Sequence, residues 1–112
     1  MRKHMLSTDY VGISPNQAAE ACEILKPVFP VYNEEFFNGL KTKMTNGKKI
    51  VGGSRMVDTE TKIHITYNRQ DEILKISFDV CDEKKYYQDK VEKALKLLGP
   101  AEKKNNPIKP LF

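Results

Sequence analysis

The sequence contains no tryptophan, two cysteines and two histidines, and each scarcity narrows what the chain can be. Cys22 and Cys81 stand far apart without a CxxC, so neither a disulfide framework nor a thiolate metal site is indicated, and both thiols are expected to be reduced and buried. His64 has no second histidine near it, and metal binding needs several convergent ligands. No apolar run approaches the roughly 18–20 residues that cross a bilayer. The opening Met1-Arg2-Lys3-His4-Met5-Leu6 lacks the apolar core of a signal peptide. The expectation is a cytoplasmic chain without membrane contact. Gly52-Gly53 is neither GxGxxG nor a phosphate loop, because no GK[ST] follows it. No cofactor is expected.

What is present suffices for one domain. The chain has 112 residues, 39% of them hydrophobic and 30% charged, with a net charge of +4. The charge is uneven. Residues 1–46 hold five bases and five acids, residues 47–69 five bases and two acids, residues 70–82 one base and four acids, and residues 83–112 eight bases and four acids. Positive charge therefore collects on a first hairpin and on the last helix with its tail.

Periodicity divides the chain further. Residues 1–13 show no sustained period and read as a loosely ordered lead-in. Ser14-Pro15-Asn16-Gln17 offers a capping box with proline at the first helical position, and Ala18, Cys22, Leu25 and Phe29 repeat as one buried stripe that Pro27 and Pro30 end. Asn33 can cap a second helix, with Glu34 and Glu35 facing the dipole, Tyr32 stapled onto Phe37, and Phe36, Phe37, Leu40 and Met44 as its apolar face. The period then falls to two. Lys49 to Val57, Thr61 to Tyr67 and Glu72 to Cys81 predict a three-stranded antiparallel meander with one core face and one wet face, the latter carrying Lys62, His64, Thr66, Lys75, Ser77 and Asp79. Gly52-Gly53 predicts a bulge or a close backbone approach. Asp82 can cap a last helix with Tyr87, Val91, Ala94, Leu95 and Leu98 inside, ending at Gly99-Pro100. The fold class is α+β in the order α-α-β-β-β-α, helices on one sheet face, with a single domain over 14–99 and a flexible polar tail over 100–112.

Two groups of residues are candidates for function, and neither makes the chain an enzyme. Lys48, Lys49, Arg55 and Lys62 on the hairpin and Lys84 and Lys85 at the start of the last helix can neutralise phosphates. The last two stand out because cations in a first helical turn oppose the dipole. Ile108, Leu111 and Phe112 form an apolar tip on a polar tail, suited to docking on a protein partner. His64 on the wet face lacks an evident orienting partner, and a general base requires one. Asp79, Asp82 and Glu83 are explained by proximity to a helix start.

Helix, meander and helix over residues 34–98, with Glu83-Lys84-Lys85 opening the last helix and Ala94-Leu95 closing it, are similar in topology to the double-stranded RNA-binding domain and to the Alu-binding proteins of the signal recognition particle. The Gly-Pro-x-His loop of the former family is absent, and Thr59-Glu60 stands in its place. The functional expectation is a small non-enzymatic nucleic-acid-binding or nucleoprotein-accessory domain. The alternative is a protein-interaction module, a small regulator or inhibitor, acting through a sheet edge or the apolar tail.

Overall fold

In the computed structural model, residues 3–81 and 85–111 are described. The strands are β1 (Lys3–Val11), β2 (Ile50–Met56), β3 (Lys62–Asn68), β4 (Ile73–Cys81), β5 (Glu102–Asn105) and β6 (Lys109–Pro110). The helices are α1 (Pro15–Leu25), α2 (Glu34–Met44) and α3 (Tyr86–Leu95), with short 3₁₀ turns at Lys26–Val28, Val31–Asn33 and Lys96–Leu98. All strand pairs are antiparallel, in the order β2-β3-β4-β1-β5, and β6 also lies on β1. The α+β class is thus observed, and the expected meander is present as β2-β3-β4.

The sheet is larger than the sequence reading foresaw, and both ends of the chain account for the difference. The expected lead-in is β1, which lies inside the sheet and pairs with β4 from Lys3↔Cys81 to Val11↔Ile73. Its inward positions are His4, Leu6, Thr8 and Tyr10, all buried. Two of these four are polar, so the period of two does not show as an apolar alternation. Thr8 is satisfied where it is buried, since its hydroxyl donates to Asn105 Oδ1 at 2.9 Å and accepts from Gln88 Nε2 of α3 at 3.2 Å. The tail is also ordered against β1. β5 pairs over Thr8↔Asn105 to Val11↔Glu102 and β6 over His4↔Pro110 and Met5↔Lys109. The edge of β1 left free by β4 needs acceptors and donors, and a polar, exposed segment can supply them without entering the core. Pro107 interrupts the run, and Pro110 sits at the sheet edge, where a missing N–H costs least.

Local rules explain most of the remaining elements. Ser14 caps α1 in a complete capping box, its hydroxyl accepting from Gln17 N–H while the Gln17 side chain accepts from Ser14 N–H at 2.9 Å. The helical run from Tyr86 ends at Gly99, left-handed at φ 60°. Asn33 departs from expectation. It precedes α2 but makes no capping bond; its fully buried side chain instead accepts from Arg55 Nε at 2.8 Å and donates to the Val57 carbonyl at 3.4 Å. At α3 the residue before the first turn is Lys85, without a side-chain cap, so Lys85 is not inside the first turn as expected. Asp82, Glu83 and Lys84 lie outside the described residues.

One core joins the helices to one face of the sheet. Leu6, Tyr10, Ile63, Ile65, Tyr67, Leu74, Ile76, Phe78 and Val80 meet Ala18, Cys22 and Leu25 of α1, Phe37, Leu40 and Met44 of α2, and Val91 and Leu95 of α3. Phe29 stacks on Phe37 and Tyr87 with ring centroids 5.4 and 5.0 Å apart, and Phe78 lies 6.3 Å from both Phe29 and Tyr87. This ring cluster ties the turn after α1 to α2, α3 and β4. Both cysteines are free and buried, as expected.

Candidate functional site on the uncovered face of the sheet

The helices cover one face, and the register lays out the other in rows. One row across the sheet is Met56, Lys62, Asp79, Met5 and Lys109; the next is Ser54, His64, Ser77 and Ser7; a third is Gly52, Thr66, Lys75, Asp9 and Lys104. A fourth is Ile50, Asn68, Ile73, Val11 and Glu102. Lys3 stands on the same face beside Cys81. No aromatic residue occupies any of these positions.

The serine row carries two hydrogen-bonded groups, one reaching from Ser54 through His64 to Asp79 of the adjoining row and one joining Ser77 to Ser7. Ser54 Oγ lies 2.6 Å from His64 Nδ1, and His64 Nε2 lies 2.9 Å from Asp79 Oδ2. Ser77 Oγ donates to Ser7 Oγ at 3.0 Å, which also accepts from Asn106 Nδ2 at 3.3 Å. His64 and Asp79 are partly buried, at 28% and 19% side-chain exposure, while Ser54 is exposed. Asp79 Oδ1 is buried without a hydrogen-bond partner among the described residues. The orienting partners that the sequence reading did not find for His64 are therefore supplied by the strands on either side.

Two adjoining concavities flank this row and share Lys75. One, of about 400 Å³, is lined by Asp9, Ile50, Thr66, Asn68, Ile73 and Lys75. The other, of about 280 Å³, is lined by Met5, Ser7, Lys75, Ser77, Asn106, Pro107 and Lys109. Lys75 Nζ is 3.9 Å from Asp9 Oδ1, a loose pair on a half-exposed lysine.

The basic residues singled out from the sequence do not share one surface. Lys48 lines a shallow cleft beyond the start of β2 with Lys43, Asn46 and Ile50, and the adjoining Lys49 accepts Arg69 N–H through its carbonyl at 2.8 Å. Arg55, at the other end of β2, belongs to the helix side and is committed there. Besides Asn33, it donates to the Tyr32 carbonyl at 3.3 Å, with its guanidinium 5.9 Å from the Tyr32 ring. Lys62 alone of the hairpin set lies on the uncovered face. Lys85 precedes α3, and Lys84 is outside the described residues. The tail candidates are drawn toward β1: Leu111 N–H donates to the Lys3 carbonyl at 2.9 Å, Ile108 is 36% exposed, and Phe112 is outside the described residues.

In their place the face gathers Lys3, Lys62, Lys75, Lys104 and Lys109 against the carboxylates Asp9, Asp79 and Glu102. Lys104 and Lys109 lie on a polar, proline-punctuated segment whose pairing with β1 no apolar period announces. Ser7 and Asp9 were missed with β1, since polar Thr8 stands between Leu6 and Tyr10 on its inward side. Among the described residues no cluster of three or more potential metal ligands occurs, and no helix is long and apolar enough to cross a membrane.

No family model and no curated protein matches the chain. Among solved structures it is similar to the crystal structure of the adenosylmethionine decarboxylase from Aquifex aeolicus VF5, at 11% identity and a TM-score of 0.45, over 96% of this chain and 88% of that one. Nothing about the chemistry of the uncovered face follows from a likeness at that level.

Proposed function

We propose that the protein binds the phosphate backbone of a nucleic acid on the uncovered face of its sheet. The observation that carries this reading is the lysine lattice: among the described residues, five lysines from five strands and three carboxylates occupy positions on one uncovered surface. Neighbouring strands are spaced about 4.8 Å, so Lys62 and Lys109, three strands apart, stand roughly 14 Å from each other. A spread of that kind suits an extended polyanion better than a single phosphate. Among the described residues no aromatic side chain stands on the face, which leaves out base stacking there, the usual source of sequence-tolerant grip on unpaired bases, so affinity rests on counterion release.

Fluorescence anisotropy of a labelled oligonucleotide, titrated from about 50 to 200 mM salt, tests this. Affinity is expected to fall steeply, and Lys62→Glu and Lys75→Glu are each expected to lower the salt slope by about 0.7–0.9, the contribution of one phosphate contact. No binding at the lowest salt, or an unchanged slope in both variants, rejects the reading. A second reading rests on β2, which among the described residues pairs only with β3 and carries Ile50 and Met56 at 61% and 44% exposure. Such an edge can accept a strand from a protein partner. A partner lost on Ile50→Lys but retained by Lys75→Glu would favour it.

A further inference from the structure

The serine row contains more than a binding surface requires. We infer that Ser54, His64 and Asp79 form an activated-serine site that cleaves activated acyl esters, a proposal independent of phosphate binding by the lysines.

The hydrogen bonds set the tautomer. Asp79 Oδ2, at 2.9 Å from Nε2, is a carboxylate that can only accept, so the ring proton sits on Nε2. Nδ1 is then the free base, and Ser54 Oγ, at 2.6 Å, donates to it. This is the protonation pattern that a nucleophilic serine needs, with the roles of the two ring nitrogens exchanged relative to the usual triad. Asp79 is suited to hold an imidazolium. Among the described residues its second oxygen is buried without a hydrogen-bond partner, and the ring is the hydrogen-bond partner of the first.

Access agrees with the assignment. Ser54 is exposed on the edge strand. Its neighbour two residues back on the same face is Gly52, which carries no side chain; a Cβ there would come within 2.5 Å of the Ile65 carbonyl oxygen.

In the reaction, Ser54 Oγ bonds to the ester carbonyl carbon and passes its proton to His64 Nδ1. The C–O bond to the leaving group then breaks, and the departing alkoxide takes that proton as the alcohol. Water attacks the acyl-serine in turn, giving a proton to Nδ1, and Ser54 Oγ recovers it as the carboxylic acid leaves. Electrons move only within these bonds, and water is the sole co-reactant.

The test uses the full chain with an alkyl fluorophosphonate, whose phosphorus Ser54 Oγ attacks with loss of fluoride. Intact-mass and peptide mass spectrometry are expected to find one adduct, on Ser54, with a rate that falls in acid, where a protonated imidazole can no longer accept the serine proton. His64→Gln is expected to slow labelling at least about 100-fold and Asp79→Asn at least about tenfold. No adduct on Ser54, labelling spread over other exposed serines, or a rate indifferent to His64→Gln overturns the proposal. Should either variant fail to fold, the wild-type pH profile decides, since a flat profile excludes the imidazole. Oligonucleotide binding is read separately on the lysine variants, so either proposal can fail alone.

Discussion

On the helix side of the sheet the inward positions of β3 and β4 are Ile63, Ile65, Tyr67, Leu74, Ile76, Phe78 and Val80, each 3% exposed or less. The intervening positions on the other side are Lys62, His64, Thr66, Lys75, Ser77 and Asp79. The first set is held by close packing, which any apolar side chain of matching volume partly satisfies. In the second, several side chains are held by a particular partner, as Ser77 is by Ser7 and His64 by Asp79. Stability therefore resides on one face and chemical specificity on the other. Phe78→Ala is expected to cost about 3–5 kcal/mol, because it opens a cavity inside the ring cluster. Ser77→Ala, one residue along the same strand, is expected to cost about 1 kcal/mol, the worth of one hydrogen bond. Urea denaturation of the two variants measures both, and equal losses would abolish the distinction between the faces.

Arg55 sharpens the comparison because composition alone groups it with the lysines. Removing its guanidinium takes a charged donor from Asn33, which has no exposed surface. Arg55→Ala is thus expected to destabilise by about 1.5–3 kcal/mol and to leave the salt slope of nucleic-acid binding unaltered. Lys62→Ala is expected to do the reverse, changing stability by less than about 0.5 kcal/mol. A salt slope that responds to Arg55→Ala would place the binding surface on the helix side.

How far the sequence could be read followed the same division. Strands β3 and β4 and helices α1 and α2 were legible because one side of each is apolar at its own period, and β2, whose helix side is Val51, Gly53 and Arg55, followed from its place before the turn into β3. Ser14-Pro15-Asn16-Gln17 and Gly99 carried their local geometry unaided. Strand β1 was missed because His4 and Thr8 take inward positions, and a buried polar residue is intelligible only once its partner is known. For Thr8 the partners are Gln88 and Asn105, about 80 and 97 residues away in sequence. The relay on the uncovered face failed for the same reason. Ser54, His64 and Asp79 come from three strands, and the register that aligns them depends on two hairpins at once.

The tail provides a test of intermediate size. Its strands are exposed throughout, so they add little apolar burial, yet they satisfy the outer edge of β1 through Asn106 N–H to Ser7, Leu111 N–H to Lys3 and the side-chain bond between Thr8 and Asn105. Deleting residues 101–112 is expected to cost about 1 kcal/mol, which lowers the melting temperature of a domain this size by about 4–8 °C. An unchanged melting temperature would mean that β1 needs nothing on that side, and the lysine lattice would lose Lys104 and Lys109.

The smallest effect separates the faces by pH. Burial, with the charge of Glu23 beside it, pushes the Cys22 thiol up to about 12, and burial also raises Tyr10, Tyr67 and Tyr87, all on the helix side. Each is an acid whose neutral form the fold favours, so the unfolded chain releases its proton first. The stability they contribute is complete below the ordinary thiol range near 8.5 and is lost as pH rises from there toward 12. At pH 9.5 the unfolded tyrosines, with ordinary values near 10, have only begun to ionise, and the thiol dominates with a loss of roughly 1 kcal/mol. Denaturant unfolding at pH 7.5, 8.5 and 9.5 is expected to show this decline in the wild type and a flatter profile in Cys22→Ala, a change that removes the titrating group and little volume. Identical profiles would mean that the thiol reaches water in the native state, and that the helix face is less closely sealed than its packing implies.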